Sequence, residues 1–248
     1  INMRLGTDPE VFLQDQNGKL VSAIGLINRG KWDPLQIPDM EVGFTLQEDN
    51  VSLEYGVPPA ASAEEFRHHI RAVMERSKDW LPGLTFSKLS CAIFPEDQME
   101  HPAAHVFGCE PDYCAWTGQI NTKPEPPHKF MRSAGGHIHV ETQKDPWRVV
   151  KAMDLFLGVP SVLMDSGEER KKLYGTAGAC RIKSYGPEYR TLSNFWIFED
   201  KLIDWVWRNT ARTLDNLELP FEDHAEAIQH CINTNDKGMA SAMVKMFN

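Results

Sequence analysis

The 248-residue sequence contains no apolar run near the ~20 residues needed to cross a bilayer, and no charged-then-apolar leader opens it. A cytoplasmic protein is expected. Cysteine is sparse and unpaired in pattern: Cys91, Cys109, Cys114, Cys180 and Cys231 form no C-x-x-C, and their odd number fits reduced thiols better than a disulfide framework. Cys109 and Cys114 could still enter a zinc site, although no second pair completes a tetrahedral set. Positive charge is also short. Lys and Arg number 26 against 35 Asp and Glu, and the net charge of −9 argues against nucleic acid as the main partner while leaving room for a local basic pocket that takes phosphates. No repeat, low-complexity run or linker divides the chain, so one domain over 1–248 is expected. Ile1 and Asn2 precede the first Met and are set aside as remnants of expression, and 199–248 reads as a helical C-terminal part.

What is present alternates more than it spirals over the first two thirds. Arg4 to Leu13 reads as a strand, and the Asn17-Gly18 turn folds it back into Leu20 to Ile24. Gly43 to Val57 reads as one bent strand or two short ones, ended by Pro58-Pro59. Ser62 and Glu65 form a capping box, and Phe66, Ile70, Val73, Met74 and Ser77 share the face of the helix that follows. Leu89 to Phe94 is a strand, and Pro95 to Lys129 is a long loop rich in turn formers. Asp145-Pro146 starts a helix whose buried stripe is Val149, Val150, Met153 and Phe156. Ser166 to Tyr174 is a charged segment, Glu188 to Asn194 a further strand, and Pro220 separates two helical stretches near the end. Strands first and helices last make the fold class α+β with a mainly antiparallel sheet.

The most informative stretch is Ser133-Ala134-Gly135-Gly136-His137-Ile138-His139-Val140. Two imidazoles at the two-residue strand period face one side, and the glycines ahead of them would let a phosphate or a metal-bound oxygen approach the backbone. Alone, one His could cap a carbonyl and the other face water. Three more strands offer similar chemistry: Asp8 and Glu10 on one face of the opening strand, Glu54 in the apolar Leu53-Glu54-Tyr55, and Glu188 with Arg190 near the end. Carboxylates gathered in a pocket repel one another and take up protons unless a cation balances them. Oxygen donors in this proportion suit Mg²⁺ or Mn²⁺, commonly held with substrate phosphates.

The order D-P-E, L-E-Y-G-V-P-P, G-G-H-I-H-V and E-Y-R resembles the glutamine-synthetase-like carboxylate–amine ligases, and the whole chain most resembles the phage-encoded amidoligases (COOH-NH2 ligase type 2). Phe107–Tyr113, Arg170–Gly175 and Tyr189–Trp196 carry that closer likeness, which spans about Leu5 to Trp196. The resemblance implies a curved antiparallel sheet of the glutamine synthetase/glutamate–cysteine ligase type, with helices on its outer face. It implies ATP and Mg²⁺ (or Mn²⁺) as cofactors, with Glu10, Glu54, His137, Glu188 and Asp8 as metal ligands. Asp8 stands where the wider superfamily has a glutamate, so its metal position is expected to be weaker, displaced or reached through water. His139, Arg181, Lys183 and Arg190 would contact phosphates, and Arg190 and Glu54 would act in catalysis. Arg170, Lys171 and Lys172 are either phosphate or acid contacts or a solvated helix face.

The reaction so implied is amide formation through an acyl phosphate, with small-molecule or peptide carboxylates and amines as partners, in the host cytoplasm if phage-encoded. The loop Pro95–Lys129 would exclude water. The proton acceptor for the amine is open between Glu54 and an acid in Glu110–Asp112. The superfamily often forms rings or dimers, so a homo-oligomer fits. Two other readings compete: a metal-dependent hydrolase or phosphoesterase, since H-x-H with acids also serves two-metal hydrolysis, and a catalytically silent protein binding a small acid or peptide.

Overall fold

The computed structural model describes residues 2–108, 110–123 and 125–247; Cys109, and with it the paired zinc reading, lies outside them. In chain order the strands of the first half are β1 (Arg4–Thr7), β2 (Glu10–Gln14), β3 (Leu20–Val21), β4 (Leu35–Gln36), β5 (Thr45–Asp49), β6 (Ser52–Gly56), β7 (Thr85–Ser87) and β8 (Cys91–Ile93), with helix α1 (Ala63–Ser77) between β6 and β7. The second half carries β9 (Tyr113–Cys114), β10 (Met131–Ser133), β11 (Ile138–Glu141), α2 (Pro146–Met153), α3 (Val159–Met164), β12 (Ala179–Lys183), β13 (Gly186–Tyr189) and helices α4 (Asp200–Asp215), α5 (Ala225–Thr234) and α6 (Lys237–Phe247). The fold is α+β, and every strand pair among the described residues is antiparallel.

The expected opening strand is two strands. Pro9 has no N–H to offer a ladder, and the chain turns at Asp8-Pro9 from β1, in the sheet β1-β11-β13-β12-β9, to β2, in the sheet β3-β2-β6-β5-β4. One short segment thus joins the two sheets, and the corner is fixed by Glu10 N–H donating to Gly135 O at 2.9 Å and Tyr55 N–H to Pro9 O at 3.0 Å. Gly43–Val57 resolves into the hairpin β5–β6, turned by Asn50 at φ 55°.

The back of the sheets is the core. Leu5, Ile138, Val140 and Tyr189 of one sheet and Val11, Leu46 and Leu53 of the other meet Phe66, Ile70 and Val73 of α1, Val149, Val150 and Met153 of α2, and Ile203 and Val206 of α4. Each such side chain contributes roughly 1.5–3 kcal/mol by leaving water. Ser62 accepts from Glu65 N–H at 3.1 Å, as the capping box requires, while the Glu65 carboxylate reaches Ala61 N–H, one residue further back than expected. Asp145 caps α2 through Trp147 N–H at 3.1 Å. A second core forms where α3, α5 and α6 pack together around Phe156, Ile228, Ile232 and Met243.

Elsewhere the elements differ from expectation in extent. The strand expected over Glu188–Asn194 is β13 and ends at Tyr189; the C-terminal region has three helices, the last two parted by Asn235 at φ 53°. β4, β7, β9, β10 and β12 were not expected. Their residues carry too little alternation to stand out, and only their partners make them strands. The charged segment is a 3-10 turn, Glu168–Lys172, and is not a solvated face: Arg170 is 2% exposed, and Lys171 donates to Ile232 O and Asn235 Oδ1 at the end of α5. Lys172 alone of the three is exposed. No helix among the described residues is long and apolar enough to cross a membrane.

Candidate active site

The front of the two sheets forms a cleft of about 880 Å³. Two cross-strand rows furnish it. In the first sheet Gly6, His139, Glu188 and Arg181 stand opposite one another across β1, β11, β13 and β12. In the second, Glu10 on β2 faces Glu54 on β6, which faces Gln47 on β5. Since neighbours in a strand point to opposite faces, Ile138, Val140 and Tyr189 go to the core while His139 and Glu188 go forward. Asp8, Glu10, Glu54, His137, His139, Arg181, Lys183, Glu188 and Arg190 all line this one cleft, with Arg170 at its wall.

The acids fall into two groups. In the first, Asp8, His139 and Glu188 each offer a ligand atom, all within 4.8 Å of one another. Asp8 Oδ1 and His139 Nε2 approach to 3.1 Å, yet not in hydrogen-bonding alignment, so both atoms are buried without a hydrogen bond. Two ligands turned toward a common third atom have this arrangement. His139 Nδ1 meets the Tyr185 hydroxyl at 2.7 Å; with that nitrogen donating, Nε2 is free to ligate. His137 lies beside the group, its Nδ1 3.6 Å from Asp8 and 3.7 Å from Glu188. Burial, with the Arg190 guanidinium, pushes His137 down to about 4, so the ring is neutral and its Nδ1 accepts from Arg190 Nη1 at 3.2 Å. Burial would raise the Asp8 carboxyl, but His139 and His137 outweigh it and hold Asp8 well below the usual range. His139 is depressed by burial and raised, on balance, by Asp8.

The second group is Glu10, Asp49 and Glu54, also within 4.8 Å of one another. Burial first, and then the neighbouring carboxylates, push Glu10, Asp49 and Glu54 up, Glu10 and Glu54 strongly. Glu10 Oε1 accepts Gly135 N–H at 3.1 Å. Three half-buried carboxylates with no base among them offer hard oxygen donors of the kind that suit Mg²⁺ or Mn²⁺.

Arg190 is fixed from two sides, Nη1 on Glu188 at 2.9 Å and Nε on Asp112 at 3.2 Å, and Asp112 also accepts from Asn121 Nδ2 at 3.0 Å. Burial acts against its charge, but Glu188 and Asp112 keep it protonated. The loop Pro95–Lys129 delivers Asp112, Val106, Phe107 and Asn121 to the cleft, and buried Arg132 holds part of it by donating to Ala104 O. Gly135 and Gly136 serve a different end from the one expected. A Cβ at Gly135 would stand 2.5 Å from His137 Nε2, and one at Gly136 2.3 Å from Ser193 O and 2.5 Å from Trp196 Nε1, so the protein's own groups fill the space expected for a phosphate.

Asp49 and Tyr185 are cleft or cleft-side groups that sequence reasoning did not single out, whereas Asp112 lies in the Glu110–Asp112 stretch named for the proton acceptor. Asp49 could have been found: with the turn fixed at Asn50, it shares the face of Gln47, which stands opposite Glu54. Tyr185 has no such signal.

The antiparallel sheet pair thus carries two acidic groups beside a clamped arginine on its front. Residues 125–211, about a third of the chain, match the family described as phage phiEco32-like COOH.NH2 ligase type 2, as the motif resemblance implied. The matched segment contributes His137, His139, Arg181, Lys183, Glu188 and Arg190, and the cleft joins these to Asp8, Glu10, Asp49 and Glu54 from outside it. No curated protein matches the chain.

Proposed function

We propose that the chain is an ATP- and Mg²⁺- (or Mn²⁺-) dependent carboxylate–amine ligase. The observation that carries this reading is the pair of acidic groups that meet in one cleft, one of them with Asp8 Oδ1 and His139 Nε2 3.1 Å apart beside Glu188. Asp8, His139 and Glu188 would hold one cation and Glu10, Asp49 and Glu54 the other, so the two imidazoles take roles opposite to those the resemblance implies. Metals held there would offset the charge on the triphosphate; transfer of its terminal phosphoryl group to a carboxylate would release ADP and give an acyl phosphate, from whose acyl carbon an amine would displace phosphate.

The chain's own residues have the following parts. His137, neutral, orients Arg190, whose guanidinium, held by Glu188 and Asp112, would face the transferring phosphoryl group. Arg181 and Lys183 bring further positive charge to the same end of the cleft. Glu54, crowded by other carboxylates, holds a proton readily, but as a ligand it would lose that capacity. Asp112, tied to Arg190 and Asn121, is a cleft acid that belongs to neither cluster. The loop that carries Asp112 excludes water, which would otherwise consume the activated acid. A hydrolase with more imidazole ligands draws no support, since His68 is exposed on α1, His69 is packed on Pro58 O, and His128 caps Phe130 N–H.

The test is incubation with ATP, Mg²⁺ and pooled amino acids, polyamines and peptides. ADP together with a product one water lighter than its two precursors is the expected result. Phosphate release with no condensed product in any pool would overturn the reading.

A further inference from the structure

Behind the site, on the core side of the first sheet, Asp154 is a fully buried carboxylate. The Tyr189 hydroxyl donates to its Oδ1 at 2.7 Å and the Trp116 indole N–H to its Oδ2 at 2.7 Å, with the Gly178 amide beside it. The basic group closest in influence, Lys171, is committed to Ile232 O and Asn235 Oδ1. Burial pushes the Asp154 carboxyl up to about 6. A charge in a core without a cation is costly, and it is retained where no neutral residue does the same work. Here the work is definite: a carboxylate accepts from both donors, whereas an amide turns its own N–H₂ toward one of them.

Asp154 opens the π-helical turn Asp154–Gly158 between α2 and α3, a local irregularity of the kind that re-aims a side chain and is common at functional sites. Gly158 makes room, since a Cβ there would stand 2.8 Å from Tyr189 Oη. Each donor belongs to a segment that carries a cleft residue. Tyr189 lies between Glu188 and Arg190 and points to the opposite face of β13. Trp116 lies just beyond β9 and Asp112, and its place is fixed by Ala115 N–H donating to Gly178 O at 2.9 Å. A Cβ on Gly178, itself at φ +72°, would meet Trp116 Cδ1 at 2.7 Å.

We propose that Asp154 is a positioning residue that, from behind the sheet, locks β13 and the Asp112 segment into the relation in which Glu188 and Asp112 together clamp Arg190. The geometric half of this stands on its own, and only its consequence for the cleft rests on the reading given above.

The test uses the full chain with Asp154→Asn, which keeps volume and shape, and Val150→Ala as a control that opens a cavity on the same helix while keeping every side-chain hydrogen bond of the network. Hydrogen–deuterium exchange and Mn²⁺ affinity are measured on all three proteins. Asp154→Asn is expected to speed exchange over 110–123 and 186–192 by about tenfold and to weaken Mn²⁺ binding by about 10- to 100-fold, as outer partners of ligands do. Exchange in α1 and in the β5–β6 hairpin should stay as in the wild type. Val150→Ala should change neither readout in those segments. Wild-type exchange over 110–123 and 186–192 in Asp154→Asn, or the same changes in Val150→Ala, would overturn the proposal. Should Asp154→Asn not fold, Trp116→Phe removes one donor and is expected to loosen 110–123 alone; unchanged exchange there would count against the idea. If the wild type binds no Mn²⁺, the cleft reading fails and exchange alone decides this one.

Discussion

The two acidic groups of the cleft stand side by side and yet sit in opposite electrostatic conditions. Asp8 and Glu188 have His139, His137, Arg190 and Arg181 around them, and Asp8 is held ionised below its usual range. Glu10, Asp49 and Glu54 have chiefly one another, and all three carboxyls are pushed up. The difference teaches that the first group is preformed by the protein's own bases, whereas the second is completed only by a cation or by protons. The chain's fold accounts for this: the first sheet brings His139 on β11, Arg181 on β12 and Arg190 just past β13, while β2, β5 and β6 bring acids alone.

The largest expected effect breaks the second group. Glu54→Gln should lower ATP turnover by at least about 100-fold and at the same time raise the melting temperature of the metal-free protein, because one repelling charge is gone. Turnover and a melting curve without metal check both halves. Next, Arg190→Lys should reduce turnover by about 10-fold or more, because an ammonium cannot hold Glu188 and Asp112 together as the planar fork does; steady-state rates with Arg190→Lys and with the neutral Arg190→Met would show whether charge alone suffices.

The third expectation concerns pH. Groups whose folded pKa is raised stabilise the protein most below their unfolded value and lose that contribution as pH rises through the folded one. Glu10, Asp49, Glu54, Asp154 and His139 all act in this sense, whereas His137, pushed down to about 4, acts the other way between about pH 4 and its ordinary 6.5. Above pH 6.5 the His137 contribution is spent and that of Lys171, which burial pushes down to about 8, has yet to begin, so between about pH 6.5 and 8 the metal-free protein should lose stability as pH rises, and Mn²⁺ should restore it. Denaturant titrations at several pH values with and without Mn²⁺ measure this. The smallest effect belongs to the rim: Lys31→Ala breaks an exposed ion pair with Glu110 at 3.1 Å and should change stability by less than about 1 kcal/mol.

Much of this site was legible because period-two spacing is a local property. His139 beside Ile138, and Glu188 beside Tyr189, announce which side chain faces forward without any knowledge of partners. What the sequence could not tell is which strands lie together. The turn at Asp8-Pro9 sends Asp8 to one group and Glu10 to the other, although the spacing placed them on one face. The roles of the glycines were hidden for the same reason, since Ser193 and Trp196, which crowd Gly136, come from far along the chain. Arg170 and Lys171 stayed open between phosphate or acid contacts and a solvated helix face, because nothing local marks a 3-10 turn that buries Arg170 and ties Lys171 to the end of α5.

The most direct test of the central claim, that the cleft holds two divalent cations in unlike surroundings, is anomalous diffraction from crystals soaked with Mn²⁺ and a non-hydrolysable ATP analogue. Two peaks are expected, one among Asp8, His139 and Glu188 and one among Glu10, Asp49 and Glu54. Nucleotide bound with no manganese peak at either group would contradict it.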